Sequence, residues 1–355
     1  MLVYIGSQPG EADTRDGDGP EPEPVGIPVF RAGGDGGLEP LDAPSVGTAA
    51  VAAPSFLAAH PRLPVLYAVS TVDDGAVVAL SIGPGGWLRE RSRQPSGGSQ
   101  PIHLAVSGDA RHLLCANWGS GEVAVLPLGA DGALAAPTDV VAHGKRYAHH
   151  VSLIGAEVTV VHLGANALYG YRLEPPGRLR RAWVAPARPA AGPRHLAMHP
   201  SGRRYVADEL SSTLSTYVPD PATGGLRLVH SRKATLVDPV GANHLSEIAV
   251  SPDGRFVYVA SRGNDTISTF AAEGEVPVPV DEVPTGGAFP RHFALAGPWV
   301  YVANERSDTV TVLRLDDGVP RPTGIAVETP APTCVVPRAS SRPQPAPALP
   351  AGRCR

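Results

Sequence analysis

No stretch of this sequence approaches the 18 or more consecutive apolar residues that a membrane-spanning helix requires. Basic charge is scarce too. Only two lysines occur, Lys145 and Lys233, arginine carries the rest, and the net charge is −4. Without a basic stripe, the electrostatic footprint of a nucleic-acid binder is missing. Cysteine is sparse and odd in number, at Cys115, Cys334 and Cys354. That set is too small for a disulfide framework and suits a reducing compartment. The opening residues, MLVYIGSQPG, show no basic segment followed by a long apolar one, so no secretory signal is expected. Helical periodicity is absent, as are zinc-ligand spacings, a phosphate-binding glycine loop and a GxSxG turn. These absences predict a cytoplasmic protein without nucleic acid, membrane, metal or cofactor.

Glycine and proline are abundant, at 40 and 39 of 355 residues, beside a hydrophobic fraction of 43%. That combination means many tight turns around a real core. The apolar runs are short and rich in valine, which points to strands.

Six segments superimpose, starting at Pro54, Pro101, Ala148, Pro193, Leu245 and Pro290, 45 to 52 residues apart. Each opens with a short strand (HLAM, EIAV) and turns at HPSG or SPDG, where Pro, Ser, Asp and Gly suit the turn dihedrals. A second strand follows (RYVA, FVYVA), then a tight turn, a third strand (TISTF, TVTVL) and a more variable fourth. Antiparallel strands at this period are the signature of a propeller blade. The ends supply a seventh unit: LVYIGS at 2–7 matches the second strand, GIPVF at 26–30 the third, and PTCVV from Pro332 the first. The expected fold is an all-β, seven-bladed β-propeller over residues 1–336, its ring closed by pairing the C-terminal strand with the N-terminal ones. Residues 8–25, acidic and rich in Pro and Gly, are expected to form a mobile loop. Residues 337–355 are expected to be a disordered, Pro-rich tail.

Aligning the blades exposes positions that face the channel. The second residue of each opening strand reads Ser55, Ile102, His149, Arg194, Ser246, Arg291, Thr333; the next reads Phe56, His103, His150, His195, Glu247, His292, Cys334. Past the second strand, one column reads Ser70, Asn117, His162, Asp208, Ser261, Asn304, Gly6, and the next Thr71, Trp118, Leu163, Glu209, Arg262, Glu305, Ser7. Equivalent positions share radius and height, so Arg194, Arg262, Arg291, Glu209, Glu305 and His149 should converge. Arginine forks suit carboxylate or phosphate, and His or Glu suits proton transfer. Two plainer readings stand beside this. His103, His195 and His292 would each bond a neighbouring blade, and the Arg and Glu residues would be interblade ion pairs. The pair His149–His150 is no metal motif if neighbouring strand residues face opposite ways.

The residues GIPVF, APSFLAAHP, AGPRHLAMHPSGRRYVADELSSTLSTY, EIAVSPDGRFVYVASRGNDTISTF and FPRHFAL resemble the lactonase-type seven-bladed propellers. That family includes bacterial 6-phosphogluconolactonases and fungal carboxy-cis,cis-muconate cyclases, and the likeness spans about residues 2–336. It implies catalytic residues His149 (from a PHxH pattern), Arg194 (GPRH), Glu209 (DEL for NEL) and Arg262 (SRG for SNRG). Arg291, His195, His103, His162, Glu247, His292 and Trp118 are expected to bind substrate. The chain departs from the pattern at Tyr147, which replaces the first His of PHxH, at His162 (HLG for DLG) and at His292 (PRHF for PRDF). The implied activity is metal-independent hydrolysis of a sugar-acid lactone, with His149 or Glu209 as general base. A cyclase or isomerase acting on an anionic metabolite, and a non-catalytic binding scaffold, are the alternatives. The partner would be a small anionic metabolite or lactone, and the chain a monomer or weak homodimer.

Overall fold

The structure, a computed structural model, describes residues 1–8, 24–41 and 50–339. Most of the loop expected at 8–25 and nearly all of the tail expected from 337 lie outside the described residues. Seven four-stranded antiparallel sheets and one two-stranded sheet make up the described chain, with a single 3-10 turn at Glu305–Ser307. No helix among the described residues is long and apolar enough to cross a membrane.

In each blade the strands follow one another from the channel outward. Blade 4 is representative: Pro193–Met198 innermost, then Arg204–Asp208, Thr213–Asp220 and Gly225–Lys233. Each innermost strand packs against those of the blades before and after it, around a closed circle. Blade 7 is built from both ends of the described chain, in the order Pro332–Arg338, Leu2–Ser7, Val29–Ala32, Leu38–Pro40. Its closing register runs from Leu2↔Arg338 to Ser7↔Pro332. The closing strand extends two residues past the boundary expected at 336, because Pro337 and Arg338 still find partners in Val3 and Leu2. Within GIPVF, the third strand begins only at Val29. Gly26 pairs instead with Ala50 in the small two-stranded sheet.

The core lies between blades. Second strands such as Val65–Ser70 and Phe256–Arg262 are buried along their whole length, which explains their unbroken apolar runs. Outermost strands such as Leu88–Pro95 are mostly exposed. Tyr4, Tyr67, Tyr205, Tyr258 and Tyr301 occupy equivalent second-strand positions and are fully buried. Each contributes about 4–6 kcal/mol of apolar burial as an upper bound. Tyr67 and Tyr258 donate their hydroxyls to the carbonyls of Gly132 and Gly318 in the next blade. One ring thus fills the gap between blades while its polar tip fixes the neighbour's position.

Candidate active site

A repeated backbone device builds the mouth of the channel. Just before the innermost strand, the chain turns a corner in the left-handed region at Ala53, Gln100, Tyr147, Gly192, Phe289 and Ala331. The corner carbonyl accepts the amide of the residue just past the same blade's second strand: Thr71 to Ala53, Trp118 to Gln100, Leu163 to Tyr147, Glu209 to Gly192, Glu305 to Phe289. In blade 7 the same bond runs from Gln8 to Ala331. The equivalents there are therefore Ser7 and Gln8, one residue later than the alignment on Gly6 and Ser7 implied. Glycine is required in the SRG segment, where Gly263 has φ +127° and a Cβ would meet the Ala242 carbonyl at 2.4 Å.

In blades 2 to 6 a β-bulge near the start of the innermost strand shifts register between Pro101 and His103, Ala148 and His150, Pro193 and His195, Leu245 and Ile248, and Pro290 and His292. A bulge re-aims side chains. It removes the strict alternation expected of His149 and His150. Their rings both pack on His195, at centroid distances of 5.1 and 4.9 Å. Consecutive residues of five blades thereby enter the channel in two layers.

The upper layer is ionic. Oε2 of Glu209 meets Nε of Arg194 at 3.2 Å and Nη2 of Arg262 at 3.1 Å. Both guanidinium groups are further held by carbonyls, Arg194 by Ser246 at 2.8 Å and Arg262 by Leu245 at 2.9 Å. Arg291 pairs with Glu305 at 3.2 Å. Among the described residues, Arg194 and Arg262 thus share one carboxylate, while Arg291 has Glu305 to itself. Burial alone would raise the Glu209 carboxyl, but Arg262, Arg194, Arg291 and His244 outweigh it and hold it below the ordinary carboxylate value. His149 is buried beside this cluster, and its Nδ1 has no hydrogen-bond partner. Desolvation, and then Arg194, His195, Arg291 and Arg262, keep its imidazole neutral, well below the usual histidine value. A small cleft opens here, lined by His149, Arg194 and Arg291 on one side and by Ser55, Ile102 and Thr333 on the other.

The lower layer is a girdle across the channel. Centroid distances run from Phe56 to His103 at 4.2 Å, on to His150 at 4.2 Å, and on to His195 at 4.9 Å. Glu247 continues it, 3.0 Å from His195 and 3.3 Å from His292, and His292 returns to Phe56 at 5.8 Å. Nδ1 of His103 accepts the Val151 amide of blade 3, and Nδ1 of His292 the Val335 amide of blade 7. These two histidines thus also stitch blades together.

The structure brings together His149, Arg194, Glu209, Arg262, Arg291 and Glu305, with His103, His195, Glu247 and His292 beneath them. Trp118 stands on the rim, its ring 4.5 Å from Tyr147. His162 is not part of the site. It is fully buried, accepts the Ala165 amide at Nδ1 and faces His143. Its column is structural throughout, as Asp208 shows by accepting Thr213 and Ser215. Three contributors lay outside the sequence expectation. His244 lies across from Arg262 and helps hold Glu209 ionised. Phe289 carries the guanidinium groups of Arg262 and Arg306 at 5.1 and 3.9 Å. His150 completes the girdle. Among the described residues no group of three or more His, Cys, Asp or Glu is arranged to hold a metal ion.

The girdle makes stability depend on pH. His103, His149, His150, His195 and His292 all sit below the usual histidine value, burial being the first cause in each. The unfolded chain therefore binds their protons first as pH falls. Their contribution is complete above pH 6.5 and lost below it. For His150, moved from 6.5 to about 4, the loss at pH 5 is about 2 kcal/mol. Asp208, raised by burial to about 6, works in the opposite sense, but it is one carboxyl against five imidazoles. The urea midpoint should fall clearly between pH 7.5 and pH 5.0. An unchanged midpoint would contradict this reading.

Across residues 21–337 the chain matches the family model described as "Lactonase, 7-bladed beta-propeller". It is 34% identical over 259 residues to the 6-phosphogluconolactonase of Bacillus subtilis (strain 168), covering 68% of this chain and 74% of that protein. Among solved structures, a Lactobacillus plantarum protein superimposes with a TM-score of 0.82 at 27% identity, over 94% of this chain and 98% of that one. The periplasmic gluconolactonase of Pseudomonas aeruginosa superimposes with a TM-score of 0.80 at 26% identity, over 95% and 99%.

Proposed function

Because this chain belongs to the lactonase family of seven-bladed β-propellers, we propose that it is a lactone hydrolase that opens a sugar-acid lactone at the channel mouth without a metal ion. The observation that carries this reading is the bridge of Arg194 and Arg262 through one oxygen of Glu209, beside a buried imidazole with an unpartnered nitrogen. Relatives named for hydrolysis of gluconolactones support the reaction class.

The roles follow from what each group has left to give. Arg194 and Arg291 line the cavity and face the carbonyl oxygen, where negative charge develops as water attacks. Fixed donors in a site closed to water are worth most at that point. His149 is neutral and has lone-pair capacity to spare, so it takes the proton of the attacking water. Glu209 is a poorer base, because its Oε2 is shared by two cations. It instead keeps Arg194 and Arg262 in place, and its Oε1 is left for a substrate hydroxyl. Ser55, Ile102 and Thr333 border the opposite wall, toward which the rest of the substrate would lie. The guanidinium groups of Arg194 and Arg291 suit a substrate that carries, or develops, negative charge at the oxygen they face.

The test is acid release followed by pH-stat, with 6-phosphogluconolactone and unphosphorylated gluconolactone, with and without chelator. Chelator-insensitive turnover is expected, and Arg194→Ala should lower kcat by about 10²–10³-fold. No turnover of either lactone above the buffer rate would overturn the reading and favour the cyclase or isomerase chemistry known in the same family.

A further inference from the structure

Opening a lactone takes two proton transfers. Water must lose a proton as it attacks, and the ring oxygen must gain one as it leaves, since an aliphatic alkoxide is too basic to depart unaided near neutrality. His149 accounts for the first transfer. The girdle contains a group shaped for the second.

Hydrogen bonding fixes the tautomers there. Nδ1 of His292 accepts the Val335 amide at 3.3 Å, so its proton is on Nε2, which points at Oε2 of Glu247. Oε1 of Glu247 accepts the Ile248 amide at 3.0 Å. Oε2 thus already faces one N–H, and the His195 Nδ1 lying 3.0 Å from the same oxygen is the second donor to it. When His195 is neutral, its lone pair is therefore on Nε2. His103, which accepts the Val151 amide at Nδ1, has the opposite tautomer. His195 lines the cavity, its ring lies edge-on to His149 at 5.1 Å, and Arg194 precedes it in the chain. A carboxylate behind one imidazole nitrogen and a cavity before the other is the arrangement of an oriented acid–base histidine.

We propose that His195, oriented by Glu247, delivers the proton to the departing ring oxygen; this rests on the lactonase reading above. Water oxygen bonds to the carbonyl carbon while one of its protons passes to His149, and the carbonyl electron pair moves onto oxygen beside Arg194. That proton crosses to Nε2 of His195, whose cation the Glu247 carboxylate stabilises. When the bond from carbon to ring oxygen breaks, its electron pair leaves on oxygen, which takes the proton from His195. Both imidazoles end neutral, and the product is the hydroxy acid. Glu247 is a positioning residue in this scheme.

The experiment compares two lactones that differ in their leaving oxygen, gluconolactone (an alkoxide) and dihydrocoumarin (a phenoxide, about six powers of ten less basic). His195→Asn should lower kcat on gluconolactone by about 10²–10⁴-fold and on dihydrocoumarin by less than about tenfold. Glu247→Gln, close to isosteric, should show the same selectivity more weakly and covers the case in which the first variant folds poorly. On gluconolactone, added imidazole should restore much of the activity of His195→Gly. Equal losses on both lactones, or no rescue by imidazole, would overturn the role of His195. Failure of the wild-type protein to hydrolyse any lactone would instead remove the lactonase reading, and this proposal with it.

Discussion

Replacing His149 by alanine is expected to lower kcat for lactone hydrolysis by about 10²–10⁴-fold and to cost less stability than removing the Glu209 carboxylate. The buried imidazole leaves a cavity, but its Nδ1 holds nothing in place, so no charged or polar partner is stranded. Loss of a general base falls on kcat and kcat/KM alike, because the interaction exists only in the transition state. The pH profile should report the same group. His149 must be neutral to accept a proton, and its pKa lies well below 6.5. Activity should therefore be level from pH 6.5 upward and fall only in more acid solution. Glu209→Ala offers the contrast. Removing that carboxylate leaves Arg194 and Arg262, both buried, without their shared counter-ion. Stranding buried charge in this way costs about 3–5 kcal/mol, so this variant should lose stability as well as turnover. Steady-state kinetics and urea melts on both proteins check the pair. If His149→Ala loses stability and Glu209→Ala does not, the roles assigned here are reversed.

The second large effect concerns closure. A chain ended at Ala331 should fail to give a cooperative unfolding transition, and should not merely fray at one blade. It loses the whole innermost strand of blade 7, including Cys334 and Val335, buried against Leu57 and against Ile5 of the adjoining strands. It also loses the Thr333 hydroxyl bond to the Ser55 carbonyl, which ties blade 7 to blade 1. The remaining sheet would expose an unpaired edge, and the neighbouring blades a dry apolar face. Net stabilities are only about 5–15 kcal/mol, too small to absorb that loss. A sharp calorimetric transition in the shortened protein would contradict the prediction. Val335→Asp, which buries an unpaired charge at the same spot, tests it in the full-length chain.

The architecture was legible because a blade is a local pattern repeated, and each repeat shows the same strand and turn chemistry. The meeting of Arg194, Glu209, Arg262 and Arg291 was legible for the same reason, since equal places in equal blades share a radius. What the pattern does not carry is backbone irregularity. The bulge that turns His150 inward depends on pairing with the neighbouring strand, and nothing in the letters HH marks it. His244 was missed because the repeat aligned from Leu245, one residue too late. Tyr147 was noted only as a departure, and Phe289 not at all, because a left-handed corner is ordinarily a place for glycine, as at Gly192. His162 was assigned to the channel because its column was read as facing inward. The buried Asp208 and Asn304, bonded to Thr213 and Thr311 within their own blades, show that the column serves the blades instead.

The pairing of Leu2 with Arg338 also governs the order of events during synthesis. Strand Leu2–Ser7 is made more than 320 residues before the inner neighbour it pairs with. Until that partner is made, the nascent chain carries an open apolar edge. Individual blades can form as they emerge, but the mouth, with residues from blades 3 to 6 in register, takes its final shape only when the ring shuts. Contacts this distant in sequence are slow to form. Yield in a cell should therefore depend on how long that edge is shielded, which makes chaperone supply and translation speed the practical controls on how much active protein accumulates.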